Sequence, residues 1–89
     1  MKMNDKVNNV NECISVYTAF RSLLEEMEGA ESPDFFKSVS KVLNITIAPE
    51  TIYKSHGEYL TKTRVYLIDT LTRKIDWLLN SNDNESNLD

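Results

Sequence analysis

Residues that interrupt regular structure are scarce in this chain, which has two glycines and two prolines among its 89 residues. A strand-rich fold needs many tight turns, and glycine and proline supply most of them. Gly29 and Pro33 bracket one interruption of the sequence, and Pro49 marks another. The sequence therefore predicts an all-α fold, a small bundle of three main helices at about 4–28, 33–43 and 49–80.

The first predicted helix carries apolar residues at alternating intervals of three and four positions. These residues are Val10, Cys13, Tyr17, Phe20, Leu24 and Met27. Such a spacing places one side of a helix against a neighbouring helix. Gly29 follows the last of them, and a glycine in the left-handed conformation commonly ends a helix. We therefore expect Gly29 to stop the first helix.

The second predicted helix begins with a recognisable cap. Ser32 is placed to be the N-cap, Pro33 occupies the first helical position, and Asp34 is favourable near the positive end of the helix dipole. A linker over 44–48 follows this helix. The polar segment 81–89 has no periodicity, so the sequence predicts one helical domain over 1–80 and a disordered tail over 81–89.

The third predicted helix is apolar on two opposed sides. One side carries aliphatic residues and the other carries Tyr59, Tyr66 and Trp77, with Ile52 at its beginning. Two apolar sides require two neighbours. Either the first two helices cover both sides, or the aromatic side binds another chain, a location that suits amphipathic aromatic side chains.

The chain has few other means of stabilising so small a core. A domain of this size buries only about 60–65% of its unfolded surface. Cys13 is the one cysteine and His56 the one histidine, so neither an intrachain disulfide nor a Cys/His zinc site can form. We therefore expect no metal and no cofactor, and we expect the bundle to be completed by formation of a homodimer.

Two charged features are candidates for partner binding. Arg64 falls in the middle of the aliphatic side of the third helix, where it must either extend to solvent or pair with an acid of the first helix or of a second chain. Glu25, Glu26, Glu28 and Glu31 gather near the end of the first helix, where the helix dipole disfavours negative charge. These carboxylates form either a solvated helix end, in which Arg21 pairs with Glu25, or an acidic surface that binds a partner.

A short stretch also suggests DNA binding. Ser40 has the small side chain needed where two helices cross, Leu43 and Ile45 flank Asn44 as core residues around a turn, and Ile52 follows as an anchor. Residues 35–57 thereby resemble a helix-turn-helix unit, with about two extra residues in the turn. The resemblance implies a dimeric transcription regulator, and the residues that it places at or near the DNA are Thr51, Tyr53, Lys54, His56 and Lys62.

No catalytic arrangement is evident in the sequence. Phosphate loops, dinucleotide fingerprints and metal-binding helix motifs do not occur, and His56 has no fixed nucleophile beside it. The first residues lack the apolar run of a signal peptide, so we expect none, and no apolar run is long enough to span a membrane. The net charge of −4 disfavours non-specific attraction to nucleic acid. We expect a cytoplasmic, non-enzymatic protein that binds itself or another protein. The helix-turn-helix regulator is the alternative.

Overall fold

The chain folds into three α-helices joined by one short loop and one longer connection. The computed structural model describes the backbone of residues 2–88 and the side chains of residues 10–80. Helix α1 spans Lys2–Glu26, α2 spans Pro33–Leu43 and α3 spans His56–Leu88, with a single 3₁₀ turn at Glu50–Ile52 before α3. Within that part of the chain no strand occurs. The predicted all-α fold with three helices is confirmed.

Helices α1 and α3 form the main pair, and α2 packs against them. Arg21 of α1 contacts Thr72 of α3, whereas Leu24, one turn later, contacts Arg64. The positions on α3 decrease as those on α1 increase, so the two helices run antiparallel. The core lies where all three helices meet, and its fully or nearly fully buried members are Leu24, Phe36, Val39, Leu43, Leu67 and Leu71. The apolar spacing of α1 supplies one side of this core.

Local signals set both ends of α2. The hydroxyl of Ser32 accepts a hydrogen bond from the Phe35 backbone N–H at 3.4 Å, and Pro33 occupies the first turn. Asn44 ends the helix in the left-handed conformation, with φ at 56°. A left-handed residue at this position directs the chain away from the helix axis while its N–H group bonds back to the last turn. The predicted bounds of α2 are therefore confirmed, as is the left-handed conformation of Gly29, which has φ at 88° after α1.

The third helix begins later than predicted. Pro49 precedes only the 3₁₀ turn, and the α-helix starts at His56. The hydroxyl of Ser55 accepts a hydrogen bond from the Glu58 backbone N–H at 3.1 Å, which satisfies one of the N–H groups left free at a helix start. The prediction that α3 begins at Pro49 was wrong because this cap lies six residues further along the chain. The backbone of α3 continues to Leu88, and the structure does not show the disordered tail predicted for 81–89.

Candidate interaction face on the third helix

One row of side chains on α3, which we call the seam, is buried at its beginning and exposed to solvent further along the helix. Its residues recur at alternating intervals of four and three positions, and they are Tyr59, Thr63, Tyr66, Thr70, Arg73 and Trp77. Tyr59 and Thr63 retain only 6% and 2% of their accessible surface. The segment between α2 and α3 folds back over this part, and the ring centroids of Tyr53 and Tyr59 lie 5.8 Å apart. The chain thus covers the first part of the seam by itself.

The seam is open to solvent from Tyr66 onward. Tyr66 is 46% exposed and Trp77 is 67% exposed, with half-buried Thr70 and exposed Arg73 between them. We call Tyr66, Thr70, Arg73 and Trp77 the aromatic stripe. It covers three helical turns, or about 16 Å of α3. An exposed indole together with an exposed phenol ring on one face is typical of a protein-binding surface.

A pair of opposite charges lies across the middle of the aromatic stripe. The Arg73 Nε atom is 3.1 Å from the Asp69 Oδ2 atom, and the two side chains remain 80% and 54% exposed. An exposed ion pair one helical turn apart contributes only about 0.3–0.5 kcal/mol to stability. Both groups can therefore exchange this contact for one with a partner at little cost.

A groove opens beside Tyr66, at the point where the covered part of the seam ends. It has a volume of about 320 Å³ and is lined by Thr46, Ile47, Ala48, Tyr53, Thr63 and Tyr66. The Thr63 hydroxyl at its wall is buried and has no hydrogen-bond partner among the described residues. Thr70, by contrast, donates its hydroxyl hydrogen to the Tyr66 carbonyl at 2.9 Å, the usual arrangement for threonine within a helix. The groove thus has mainly apolar and aromatic walls, and the Thr63 hydroxyl oxygen is closed off from solvent.

Replacing Thr63 by valine is expected to raise the free energy of unfolding by about 1 kcal/mol. Valine has nearly the same shape, and the exchange removes a hydroxyl whose burial without a partner costs about 1–3 kcal/mol. Urea unfolding followed by circular dichroism, at one low protein concentration, measures the change. Thr70→Val is the matched control and should not stabilise the chain, because its hydroxyl is bonded. An equal rise in the free energy of unfolding in both variants would show that the unpaired hydroxyl of Thr63 is not the cause of the stabilisation.

Two predicted members of the aromatic side behave differently from Tyr66 and Trp77. Tyr59 is buried within its own chain, so it does not belong to the exposed aromatic surface, and binding of a partner by it stays a prediction. Ile52 is 65% exposed but belongs to the 3₁₀ turn and not to α3. The exposed aromatic surface of α3 therefore starts at Tyr66.

Arg64 is occupied inside the chain. Its side chain is 12% exposed, its Nε atom lies 3.5 Å from Glu31 Oε1, and a terminal nitrogen donates to the Leu24 carbonyl at 3.4 Å. The Nε contact is an ion pair without hydrogen-bond geometry. Arg64 does pair with a carboxylate, but that carboxylate lies in the α1–α2 loop and not in α1 or a second chain. Binding of a partner by Arg64 stays a prediction.

The Glu31 carboxylate is held in its charged form by its surroundings. Its pKa lies below the ordinary value of 4.5 because the backbone N–H groups of Glu31 and Gly29 bond to the carboxylate and Arg64 attracts it. Burial opposes this shift. The Gly29 N–H donates to Glu31 Oε1 at 3.3 Å. One carboxylate thereby links the α1–α2 loop to α3.

The three remaining carboxylates at this end of α1 point into solvent. Glu25, Glu26 and Glu28 are exposed, and none of them forms an ion pair among the side chains of residues 10–80. Arg21, a possible partner for Glu25, donates instead to the Thr72 hydroxyl at 3.4 Å. The last turn of α1 has no basic residue. An exposed acidic surface exists here, and binding of a partner by it stays a prediction.

The residues of the DNA-binding alternative do not share a recognition helix. Thr51 lies in the 3₁₀ turn, Tyr53 and Lys54 lie in the bend after it, and His56 is the first residue of α3. Residues 44–55 separate α2 from α3, whereas a helix-turn-helix unit joins its helices by a turn of about 3–4 residues. The backbone therefore does not form the motif that the sequence resembles.

The other predicted contacts of this alternative are made within the chain. His56 contacts Glu50 through Nδ1, and Lys62 pairs with Glu58 at 3.3 Å. His56 remains 62% exposed at its side chain and Lys62 64%. Both could still meet a ligand from solvent, so nucleic-acid binding by them stays a prediction.

The part of the chain that the structure describes contains neither a cluster of metal ligands nor a membrane-spanning helix. Among those residues, no group of three or more histidine, cysteine, aspartate or glutamate side chains is arranged to hold a metal ion. The helices that the structure describes include none long and apolar enough to cross a membrane. Comparison of the chain with protein-family models, with curated protein sequences and with solved structures gives no match. The aromatic stripe and the groove beside it are therefore the features of the described residues that point to a function.

Proposed function

We propose that this protein is a small, non-enzymatic helical module that binds another protein through the aromatic stripe of α3. The observation that carries the proposal is the exposure of Tyr66 and Trp77 on a seam whose preceding residues the chain covers with its own linker. A helix face that carries two large exposed aromatic side chains loses unfavourable contact with water when a partner covers it. The groove beside Tyr66 provides the depression in which a partner side chain can be anchored.

The charge distribution supports a protein partner more than a nucleic acid. The chain carries a formal net charge of −4, and Arg73, the basic residue in the aromatic stripe, is already paired with Asp69. Binding to nucleic acid by this class of small domain depends on several lysine or arginine contacts with phosphate groups. The aromatic stripe instead resembles the centre of a protein interface, where aromatic and arginine side chains are enriched.

Affinity capture with matched variants tests the proposal. The full chain is immobilised, and the proteins that it retains are compared with those retained by Trp77→Ala, Tyr66→Ala and Val65→Ala. Val65 is 53% exposed and adjoins Tyr66 in sequence, but the helix rotates it about 100° from Tyr66. We expect a defined set of proteins, the chain itself included, to bind the wild type and Val65→Ala and to be lost from the other two variants.

Two outcomes would contradict the proposal. Retention that is unchanged in Trp77→Ala and Tyr66→Ala would show that the aromatic stripe is not the binding surface. Salt-sensitive retention of the wild type on duplex DNA, weakened by Lys54→Ala, would instead favour the nucleic-acid alternative.

A further inference from the structure

The exposed part of α3 carries an aromatic residue at each end and two opposite charges between them. From its N-terminal end it reads aromatic, acidic, basic, aromatic, at Tyr66, Asp69, Arg73 and Trp77. The midpoint between the two charged residues is Leu71, and the midpoint between the two aromatic residues falls between Leu71 and Thr72. A surface with this order is complementary to a second copy of itself in the antiparallel orientation.

We infer that the aromatic stripe is the contact between two copies of this chain, packed α3 against α3 about a twofold axis near Leu71. This inference rests on the proposed function and names the partner. A twofold interface uses the same patch on both subunits, so each residue must meet a compatible residue at its mirrored position. In the antiparallel pair Asp69 of each copy faces Arg73 of the other, and Tyr66 of each copy lies near Trp77 of the other.

The central charges fit this arrangement because both are available. The Asp69 and Arg73 side chains are 54% and 80% exposed, and they already lie 3.1 Å apart within one chain. When the Asp69 and Arg73 side chains turn toward the second copy, two ion pairs form across the twofold axis. They replace the one ion pair that each chain had within itself. Opposite charges at mirrored positions also select the antiparallel orientation, because a parallel pair would place Asp69 on Asp69 and Arg73 on Arg73.

The aromatic ends fit because each copy offers both an exposed ring and a receiving groove. Trp77 is 67% exposed, and the antiparallel orientation brings it to the part of the other copy where Tyr66 borders the groove of about 320 Å³. A second copy therefore accounts for the exposed indole, because the apolar and aromatic walls of the groove can receive it.

The extent of the surface sets the strength of the contact. Three turns of one helix, about 16 Å, give an interface at the small end of those seen in specific complexes. We therefore expect dissociation of the pair in the micromolar range, with the two copies in exchange at lower concentration.

Sedimentation velocity of the full chain over a range of micromolar concentrations tests the inference. We expect the sedimentation coefficient of the wild type to rise with concentration from that of one chain to that of two. Trp77→Ala is expected to weaken association by about tenfold or more, because it removes the aromatic anchor at both ends of the interface. Val65→Ala should associate like the wild type. Circular dichroism and urea unfolding at low concentration establish that each variant is folded.

Charge reversal with mixing tests the antiparallel register. Asp69→Arg gives a chain that is basic at both central positions, and Arg73→Asp gives a chain that is acidic at both. Each variant alone is expected to associate about tenfold more weakly, because two attractive pairs become two repulsive ones. An equimolar mixture should recover association, since each basic position then faces an acidic one. Lys41→Glu, which reverses an exposed charge on α2 and not on α3, is the control.

The mixing experiment separates contacts between copies from the ion pair within a chain. Mixing cannot restore the bond between Asp69 and Arg73 of a single chain, so recovery requires contact between the two variants. A wild type that stays monomeric at high micromolar concentration would overturn the inference. The proposed function would survive that result if other proteins are still captured through Trp77. Association that is unaffected by Trp77→Ala would overturn this interface, and mixing without recovery would overturn its antiparallel register.

Discussion

Replacing Phe36 by alanine is expected to lower the free energy of unfolding by about 3–5 kcal/mol. Phe36 has no exposed surface and lies in the core cluster between the three helices. Its removal takes a large apolar side chain out of the core and leaves a cavity that the surrounding helices can close only in part. A domain of 89 residues has a total stability of roughly 4–13 kcal/mol, so the loss is a large share of the whole.

Urea unfolding followed by circular dichroism measures this effect, with Val42→Ala as the control on the same helix. Val42 is 53% exposed, and its replacement should change the free energy of unfolding by no more than about 0.5 kcal/mol. Both variants are compared at one protein concentration, because association of the folded chain would add to its apparent stability. Similar losses for the two variants would show that α2 does not pack by the side that the structure buries.

Sequence reasoning succeeded where the determining groups lie within a few residues of one another. Ser32, Pro33 and Asn44 act on the backbone next to them, so the two ends of α2 were predictable from its own sequence. The start of α3 depends on the same kind of signal, the serine and glutamate of Ser55-His56-Gly57-Glu58. Pro49 also fits the first position of a helix and so predicts an earlier start. It begins only the 3₁₀ turn, because the cap that satisfies the N–H groups of α3 lies at Ser55.

The site was harder to predict because its cover comes from an irregular part of the chain. The helical spacing showed that an aromatic side exists on α3, but it contains no information about where the linker folds back. Tyr59 and Tyr66 belong to the same seam, and only the position of residues 45–53 makes one buried and the other exposed. The position of this segment also determines that the Thr63 hydroxyl is buried without a hydrogen-bond partner among the described residues. No residue spacing in α3 alone distinguishes a covered threonine from an exposed one.

The partner of Arg64 was unpredictable for a similar reason. The sequence showed that a guanidinium in an aliphatic stripe needs either solvent or a carboxylate, and it left several acidic residues as candidates. The structure selects Glu31, because the loop after α1 turns back over the start of α3. Selection among Glu25, Glu26, Glu28 and Glu31 depends on the loop conformation at Gly29, where φ is 88°.

Replacing Glu31 by glutamine is expected to lower the midpoint of thermal unfolding at neutral pH by several degrees, and this difference should disappear in acid. The Glu31 side chain is only 9% exposed, and its exchange leaves the guanidinium of Arg64, 12% exposed, without a counter-charge. The pKa of Glu31 is lower in the folded chain than its ordinary value of 4.5. The folded state therefore binds this proton less readily than the unfolded state does, and the stabilisation is fully present above pH 4.5.

As the pH falls below 4.5 and through the lowered pKa of the folded state, the Glu31 carboxylate is protonated and its stabilisation is lost. Thermal unfolding of the wild type and of Glu31→Gln should therefore differ most at neutral pH and converge in acid, where both chains carry an uncharged side chain at this position. Glu25→Gln removes an exposed carboxylate and controls for the same change in net charge, so its midpoint should follow that of the wild type throughout. A gap between wild type and Glu31→Gln that stayed constant down to acid pH would mean that the charge of Glu31 does not stabilise the fold. The link between the α1–α2 loop and α3 would then rest on packing and on the bond from Arg64 to the Leu24 carbonyl.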